Sequence, residues 1–270
     1  MLLLLPDLAL AASSAPATYE DALRKIVETE SGAAALPQLD DALDSAEAAL
    51  RESGVPLQTW FFQDAGFAGV AVTGNPSDHT TVLQALQERR GVCVALTAVY
   101  LSLAERTGIE TVPVATPRHV YVRQRDGARL VNIELLESGA QRPDRYYLLQ
   151  EKAPEDDPRA QDLLRVIDPG PLLAYLLNNR AVSLRAQGMV DEARDLFQRA
   201  LRLDHDCQPC LYNDANLLAA QGQRRKALRL YDRALKLHPW DADARRNRAH
   251  LLGASVARDA TPGAEVKNRP

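Results

Sequence analysis

Apolar residues near the start of the chain recur at intervals of three and four, the spacing that gathers them on one face of an α-helix. Two such segments fall within residues 18–53. The first is marked by Tyr19, Leu23, Ile26 and Val27, and the second by Leu36, Leu39, Leu43, Ala46 and Leu50. We expect two amphipathic helices that pack against the core of the domain that follows.

The pattern in the middle of the chain changes from helical spacing to strand spacing. Helical spacing predicts one helix over residues 82–90 and a second over residues 95–106, separated by a break at Arg90-Gly91-Val92-Cys93. Strand-like runs follow at residues 111–115, 119–123 and 130–134, and Pro117 separates the first two. This order predicts helices beside a small antiparallel sheet.

The last hundred or so residues carry a repeat of 34 residues. Ala181, Gly188, Ala193, Phe197, Ala200 and Leu203 recur as Ala215, Gly222, Ala227, Tyr231, Ala234 and Leu237. Small residues allow close helix packing, and the aromatic residue fills the gap between helix pairs. Residues 172–253 closely resemble the tetratricopeptide repeat family, with two helical hairpins and a capping helix over about residues 241–252. So short an array is expected to need the preceding domain to cover one of its ends.

The resemblance to tetratricopeptide repeats implies a groove that binds a protein or peptide. Asn179, Asn213 and Asn247 occupy equivalent positions and match a groove-facing position that often hydrogen-bonds a peptide backbone in this family. If the register holds, the same face also carries Arg185, Tyr212, Asn216, Arg246 and His250. The alternative is that these asparagine residues only satisfy neighbouring helix ends or water.

Cys93 stands at the predicted start of a helix, and this position suits a reactive thiol. Unpaired backbone N–H groups and the positive end of the helix dipole stabilise a thiolate there, and the same groups can hold an oxyanion. Gln87 is a candidate second oxyanion donor. A cysteine on an apolar helix is otherwise most often a core residue.

A predicted hairpin supplies candidate partners for this thiol. Asp126-Gly127 is a preferred pair for a two-residue loop, and a loop there would place His119 directly opposite Glu134. Cys93 would then act as nucleophile, His119 as the base and Glu134 as the residue that orients the imidazole. Asn132 lies on the same strand face and is the alternative orienting residue.

These residues resemble the bacterial transglutaminase-like superfamily, which contains papain-like thiol enzymes. The likeness covers about residues 81–139 and rests on three segments: Gly91-Val92-Cys93, Pro117-Arg118-His119-Val120-Tyr121 and Val131-Asn132-Ile133-Glu134. The sequence departs from the family in having Val94 where tryptophan is frequent and Glu134 where the third member is usually aspartate. The family also contains members without catalytic residues that act as binding folds.

We therefore predict an α+β fold, with a papain- or transglutaminase-like core followed by an all-α array of helical hairpins. The expected function is that of a thiol-dependent peptidase, amidase or acyltransferase whose repeats bind a protein or peptide. The alternative is a non-enzymatic adaptor in which the core is a binding platform. Neither function requires a cofactor.

Composition and charge indicate how the chain divides into domains and which class of partner is disfavoured. The chain has 270 residues, is 46% hydrophobic and carries a formal net charge of -4, which disfavours nucleic acid as a partner. Residues 16–152 are predicted to form the transglutaminase-like domain and residues 172–253 the array. Residues 153–171 are expected to be a linker and residues 254–270 a disordered tail.

The N-terminus and the remaining cysteines bear on localisation. Residues 1–15 contain a short apolar run followed by small residues, as in a signal peptide, but no basic region precedes it and the run is too short to span a membrane. Export to the periplasm or outside the cell is favoured over a cytoplasmic location. Cys207 and Cys210 would then form a disulfide; otherwise they are buried as small apolar residues. Too few ligands surround them for a metal site.

Overall fold

The computed structural model describes residues 15–70, 81–154 and 156–253. Its helices are α1 (Tyr19–Ser31), α2 (Leu36–Ser53), α3 (Leu57–Thr59), α4 (Val82–Glu88), α5 (Cys93–Thr107), α6 (Asp144–Gln150), α7 (Pro169–Ala186), α8 (Val190–Leu203), α9 (Gln208–Ala220), α10 (Arg224–Leu237) and α11 (Ala242–Leu252). A π-helical turn (Trp60–Asp64) follows α3, and 3-10 turns occupy Ala33–Ala35, Leu135–Glu137 and Pro158–Leu163. The strands are β1 (Ala68–Gly69), β2 (Arg90–Gly91), β3 (Thr111–Ala115), β4 (Val120–Asp126), β5 (Arg129–Glu134), β6 (Ala140–Gln141) and β7 (Arg165–Val166). The expected α+β core followed by an all-α array is confirmed.

Helix α5 is the centre of the first domain, and its sequence explains why. Its residues from Val94 to Ala104 are all buried, because the segment is apolar on every side. The apolar face of α1, with Leu23, Ile26 and Val27, belongs to the same hydrophobic core. Thr18 and Asp21 form a capping box that begins α1. Central packing of α5 gives Cys93, its first residue, a rigid support.

The main sheet has the strand order β6-β5-β4-β3-β7, and all neighbouring strands are antiparallel. Strand β7 joins its edge from within residues 153–171, the segment expected to be a linker. Two further segments with sequence expectations, residues 1–14 and the tail 254–270, lie outside the described residues. In the described ranges, no helix is long and apolar enough to cross a bilayer.

In the β4–β5 hairpin, each residue of β4 pairs with a residue of β5 two positions further along the chain than the sequence predicted. Asp126 pairs with Arg129, so the loop is Gly127-Ala128 and not Asp126-Gly127. Gly127 has φ of +58°, as required at the first position of a type II′ turn, whereas Asp-Gly is typical of type I′. The predicted direct pairing of His119 with Glu134 is therefore wrong. A shift of two residues nevertheless keeps every side chain on its predicted face.

Helices α7 to α11 form the two hairpins and the capping helix that the period predicted. The repeated small and aromatic positions lie at the helix contacts, since Ala181, Ala193, Phe197 and Ala200 are all fully buried. The first hairpin shares one hydrophobic core with α1 and α5, while the second has a smaller core of its own. The preceding domain thus covers one end of the array.

Candidate functional site

Cys93 is the first residue of α5, with Val92 as the N-cap, as the sequence predicted. Its side chain is half-buried and lines one cavity together with His119 and Val120. Burial alone would raise the pKa of the thiol, but the charge of His119 and hydrogen bonding to the His119 side chain and the Val120 backbone outweigh burial and lower the pKa. The thiolate is therefore favoured at this position.

His119 lies between the thiol and a carboxylate. Its Nε2 atom is 2.7 Å from Oε2 of Glu134, which leaves Nδ1 as the ring nitrogen for Cys93. Burial would lower the pKa of His119, but the charge of Cys93, the hydrogen bonds to Cys93 and Glu134 and the charge of Glu134 raise it to about 10. The pair thus favours a thiolate beside an imidazolium.

Glu134 ends strand β5 and begins a 3-10 turn. Its carboxylate is 3% exposed, and Oε1 accepts the backbone N–H of Leu136 at 2.9 Å while Oε2 contacts His119. Continuing the observed register places Glu134 opposite Tyr121, which makes His119 its diagonal neighbour. Diagonal neighbours on one face are within reach of long side chains. The three residues predicted as a triad are therefore brought together despite the register error.

Aromatic rings line one side of the imidazole. The rings of Tyr121 and Tyr147 stack with centroids 3.6 Å apart, and the His119 ring lies nearly parallel to Tyr147 at 6.1 Å. Tyr121 and Tyr147 are buried. Two buried aromatic rings therefore lie near the imidazole and nearly parallel to it.

The two other catalytic candidates are placed elsewhere. Asn132 pairs with Arg123 in the sheet, accepts a hydrogen bond from that residue and donates to Asp144. Both ends of its amide are thus engaged by residues other than His119. Gln87 is exposed on α4 and is not among the residues that line the cavity at Cys93. Glu134 is the residue that contacts the imidazole.

A cavity of about 360 Å³ connects the thiol with the helical array. The first domain contributes Cys93, Arg118 and His119 to its wall, and the array contributes residues of α7 and α9. Three of the predicted groove residues, Asn179, Tyr212 and Asn213, are among them. A second cavity of about 350 Å³ lies on the Glu134 side of His119. His119 is thus accessible from two sides.

The asparagine column makes hydrogen bonds between neighbouring helices. Asn213 donates to Asn178 at 3.0 Å, and Asn178 donates to Asn179 at 3.4 Å. Asn247 donates to Asn216 at 2.9 Å and to Tyr212 at 3.3 Å. The amides of Asn213 and Asn247 therefore bond to side chains of neighbouring helices.

The remaining groove candidates lie along or beyond this column. Arg246 forms an ion pair with Asp243 within α11, and Arg185 lies in the last turn of α7. His250 is exposed near the end of α11. Neither arginine lines the cavity at Cys93.

The other two cysteines form a disulfide, Cys207–Cys210, which is fully buried where α9 begins. Cys93 is the free thiol of the described residues. Within the same residues, no group of three histidine, cysteine, aspartate or glutamate side chains could hold a metal ion.

Sequence reasoning missed Glu151. This residue follows α6, is 1% exposed, and accepts hydrogen bonds from Thr116 and Arg118, in the turn that precedes His119. It is 33 residues from Arg118 in the chain, and no local pattern marks it.

Comparisons with known families agree with the predicted order of the two domains. The transglutaminase-like superfamily profile matches residues 22–141, and tetratricopeptide repeat profiles match residues 174–207 and 215–251. Comparison with curated proteins found no match. Tetratricopeptide repeats generally mediate protein interactions. The chain therefore contains a transglutaminase-like domain, residues 22–141, followed by two tetratricopeptide repeats within residues 174–251.

Proposed function

We propose that the protein cleaves or transfers acyl groups from amide bonds of a peptide or protein, with Cys93 as the nucleophile. One observation carries the proposal: His119 Nε2 lies 2.7 Å from the Glu134 carboxylate, and the imidazole lines one cavity together with Cys93. A buried ion pair used only for packing has no need of a cavity.

In the proposed reaction, the Cys93 thiolate attacks the carbonyl carbon of the amide and forms a carbon–sulfur bond. Backbone N–H groups in the first turn of α5 stabilise the negative charge on the oxygen. The His119 imidazolium donates its proton to the amine nitrogen as the carbon–nitrogen bond breaks. The amine leaves, and a thioester on Cys93 remains.

The second half of the reaction regenerates the thiol. Water or an amine attacks the thioester, and neutral His119 takes the proton from the attacking group. The carbon–sulfur bond then breaks, and the acid or the new amide is released from the Cys93 thiolate. Throughout both steps, Glu134 holds Nε2 as a donor and stabilises the positive charge on the ring.

The position of the cavity supports a polypeptide as the substrate. Asn179 and Asn213 of the array line the same cavity as Cys93, so a chain lying along α7 and α9 would reach the thiol. Side-chain amides can donate to and accept from a peptide backbone. The volume of about 360 Å³ lies within the range typical of small-ligand sites.

Alkylation of Cys93 by iodoacetamide across a range of pH tests the proposal without a known substrate. The wild-type rate is expected to reach half its maximum well below the pH of an ordinary thiol, about 8.5, and His119→Ala is expected to move that midpoint towards 8.5. His205→Ala is the matched control, because the His205 side chain is 83% exposed. Peptide mass spectrometry identifies the modified cysteine.

Equal midpoints near 8.5 in the wild type and His119→Ala would contradict the proposal. That result would favour the alternative of a non-enzymatic adaptor, in which the thiol has no chemical role and the repeats alone bind a partner.

A further inference from the structure

The Glu151 carboxylate is buried against the turn that carries His119. Oε1 accepts the Thr116 hydroxyl at 2.6 Å and the Arg118 backbone N–H at 3.0 Å, and Oε2 accepts Nε of Arg118 at 3.1 Å. All three donors belong to residues immediately before His119. A buried carboxylate with three donors is stable only while they stay in place, so it holds the turn in one conformation.

Thr116 transmits this constraint to His119 itself. The Thr116 Oγ1 atom accepts the backbone N–H of His119 at 3.1 Å, and the Thr116 N–H donates to the His119 carbonyl at 2.8 Å. A hydroxyl has a single proton, and the two acceptors in reach of Thr116 Oγ1 are Glu151 Oε1 at 2.6 Å and the His119 carbonyl oxygen at 3.3 Å. The shorter, charge-assisted bond to Glu151 is the stronger one, and it leaves the oxygen lone pairs for the His119 N–H. Glu151 thereby selects the hydroxyl orientation that fixes the His119 backbone.

The helical array supports the same segment from the other side. His238, which ends α10 and is fully buried, donates from Nε2 to the backbone oxygen of Glu151 at 3.2 Å. The Tyr175 hydroxyl of α7 donates to the Thr116 carbonyl at 3.4 Å. Both hairpins of the array therefore contact the residues that position His119.

We propose that Glu151 is a positioning residue for the thiol site: it acts through Thr116 to keep His119 in contact with Cys93 and Glu134 at once. The inference rests on the proposed pairing of Cys93 with His119. An imidazole that must contact a sulfur and a carboxylate simultaneously tolerates little backbone displacement, because both hydrogen bonds weaken steeply with angle.

The test compares Glu151→Ala, Thr116→Val and Thr116→Ser by the pH profile of Cys93 alkylation, with thermal unfolding measured alongside. Glu151→Ala and Thr116→Val are expected to raise the midpoint by about one pH unit, which lowers the rate on the acid side about tenfold. Thr116→Ser retains the hydroxyl, so its midpoint is expected to equal that of the wild type. A residue with only a structural role would change the unfolding temperature and not the midpoint of the folded protein.

Three results distinguish a failure of the proposed role of Glu151 from a failure of the proposed Cys93–His119 pairing. A folded Glu151→Ala variant with the wild-type midpoint would overturn the role of Glu151. If Glu151→Ala does not fold, equal midpoints in Thr116→Val and Thr116→Ser would overturn it instead. Identical profiles for the wild type and His119→Ala would remove the proposed Cys93–His119 pairing, and with it this inference.

Discussion

Glu134 contacts His119 as its diagonal cross-strand neighbour, and Oε2 of the carboxylate lies 2.7 Å from Nε2 of the imidazole. The other oxygen of the same carboxylate is occupied by the backbone N–H of Leu136. The carboxylate is thus fixed at one oxygen and presents the other to the ring. This arrangement makes Nε2 a donor and leaves Nδ1 for the thiol, which is the tautomer that a base for Cys93 requires.

Replacing Glu134 by glutamine should disrupt that tautomer. If the glutamine oxygen accepts the Leu136 N–H, its NH₂ group faces Nε2, and the ring proton must move to Nδ1, against Cys93. The loss of negative charge also disfavours the imidazolium. We expect the Cys93 alkylation rate at pH 6 to fall at least about tenfold, equivalent to about 1.4 kcal/mol. Glu110→Gln is a suitable control, because the Glu110 side chain is 62% exposed and pairs with Arg125.

The protonation of His119 should depend on the thiolate. The pKa of His119 is raised to about 10 despite burial, since Cys93 and Glu134 both favour the charged ring. Nuclear magnetic resonance should therefore show the His119 ring protonated at neutral pH, with titration near pH 10. In Cys93→Ser the thiolate is absent while burial remains, so the pKa should fall. An unchanged pKa in Cys93→Ser would contradict the ion pair.

Filling the cavity from the array should restrict access to the thiol by size. Val182 lines the cavity from α7 and is outside the catalytic group. We expect Val182→Trp to slow the reaction of Cys93 with a bulky maleimide about tenfold, a barrier change of about 1.4 kcal/mol, while the iodoacetamide rate changes little. Val166→Trp is the control, because Val166 is 56% exposed on β7. Equal slowing of both reagents would indicate a distorted site and not a blocked path.

The type II′ turn predicts that a valine substitution destabilises the protein at Gly127 and is tolerated at Asp126. Gly127 has φ of +58°, so Gly127→Val should lower the free energy of unfolding by about 1–2 kcal/mol, measured in urea. Asp126 is an exposed strand residue paired with Arg129, so Asp126→Val should change it by less than about 0.5 kcal/mol. A loss in Asp126→Val as large as that in Gly127→Val would support a type I′ loop at Asp126-Gly127, in which both residues have positive φ.

Gly139 should be irreplaceable for a steric reason as well as a conformational one. It has φ of +81°, and an added Cβ would lie 2.6 Å from ring atoms of Phe62. Gly32 has a similar φ of +82° with nothing within 4 Å, so Gly32→Ala measures the backbone cost alone. We expect Gly139→Ala to reduce stability by about 1–3 kcal/mol more than Gly32→Ala, measured by urea unfolding. Similar losses in both would mean that Phe62 moves away freely.

The fold was largely predictable because its signals are local or periodic. Helical spacing marked the start of α5 at Cys93, and the 34-residue period marked the helices of the array. Strand alternation placed His119 and Glu134 on one face. That prediction survived the register error, because a shift of two residues leaves the facing of each side chain unchanged.

The chain by itself thus determined the order of the elements, the position of the thiol and the face on which its partners lie. Tertiary structure decided the hairpin register, since Asp-Gly and Gly-Ala both suit a two-residue loop and the local sequence does not choose between them. It also decided the contacts of Glu151 with Thr116 and His238 and the cavity between Cys93 and Asn213. Such contacts join residues far apart in the chain. The contact of Glu151 with His238 and the cavity at Cys93 also require the array to pack against the first domain.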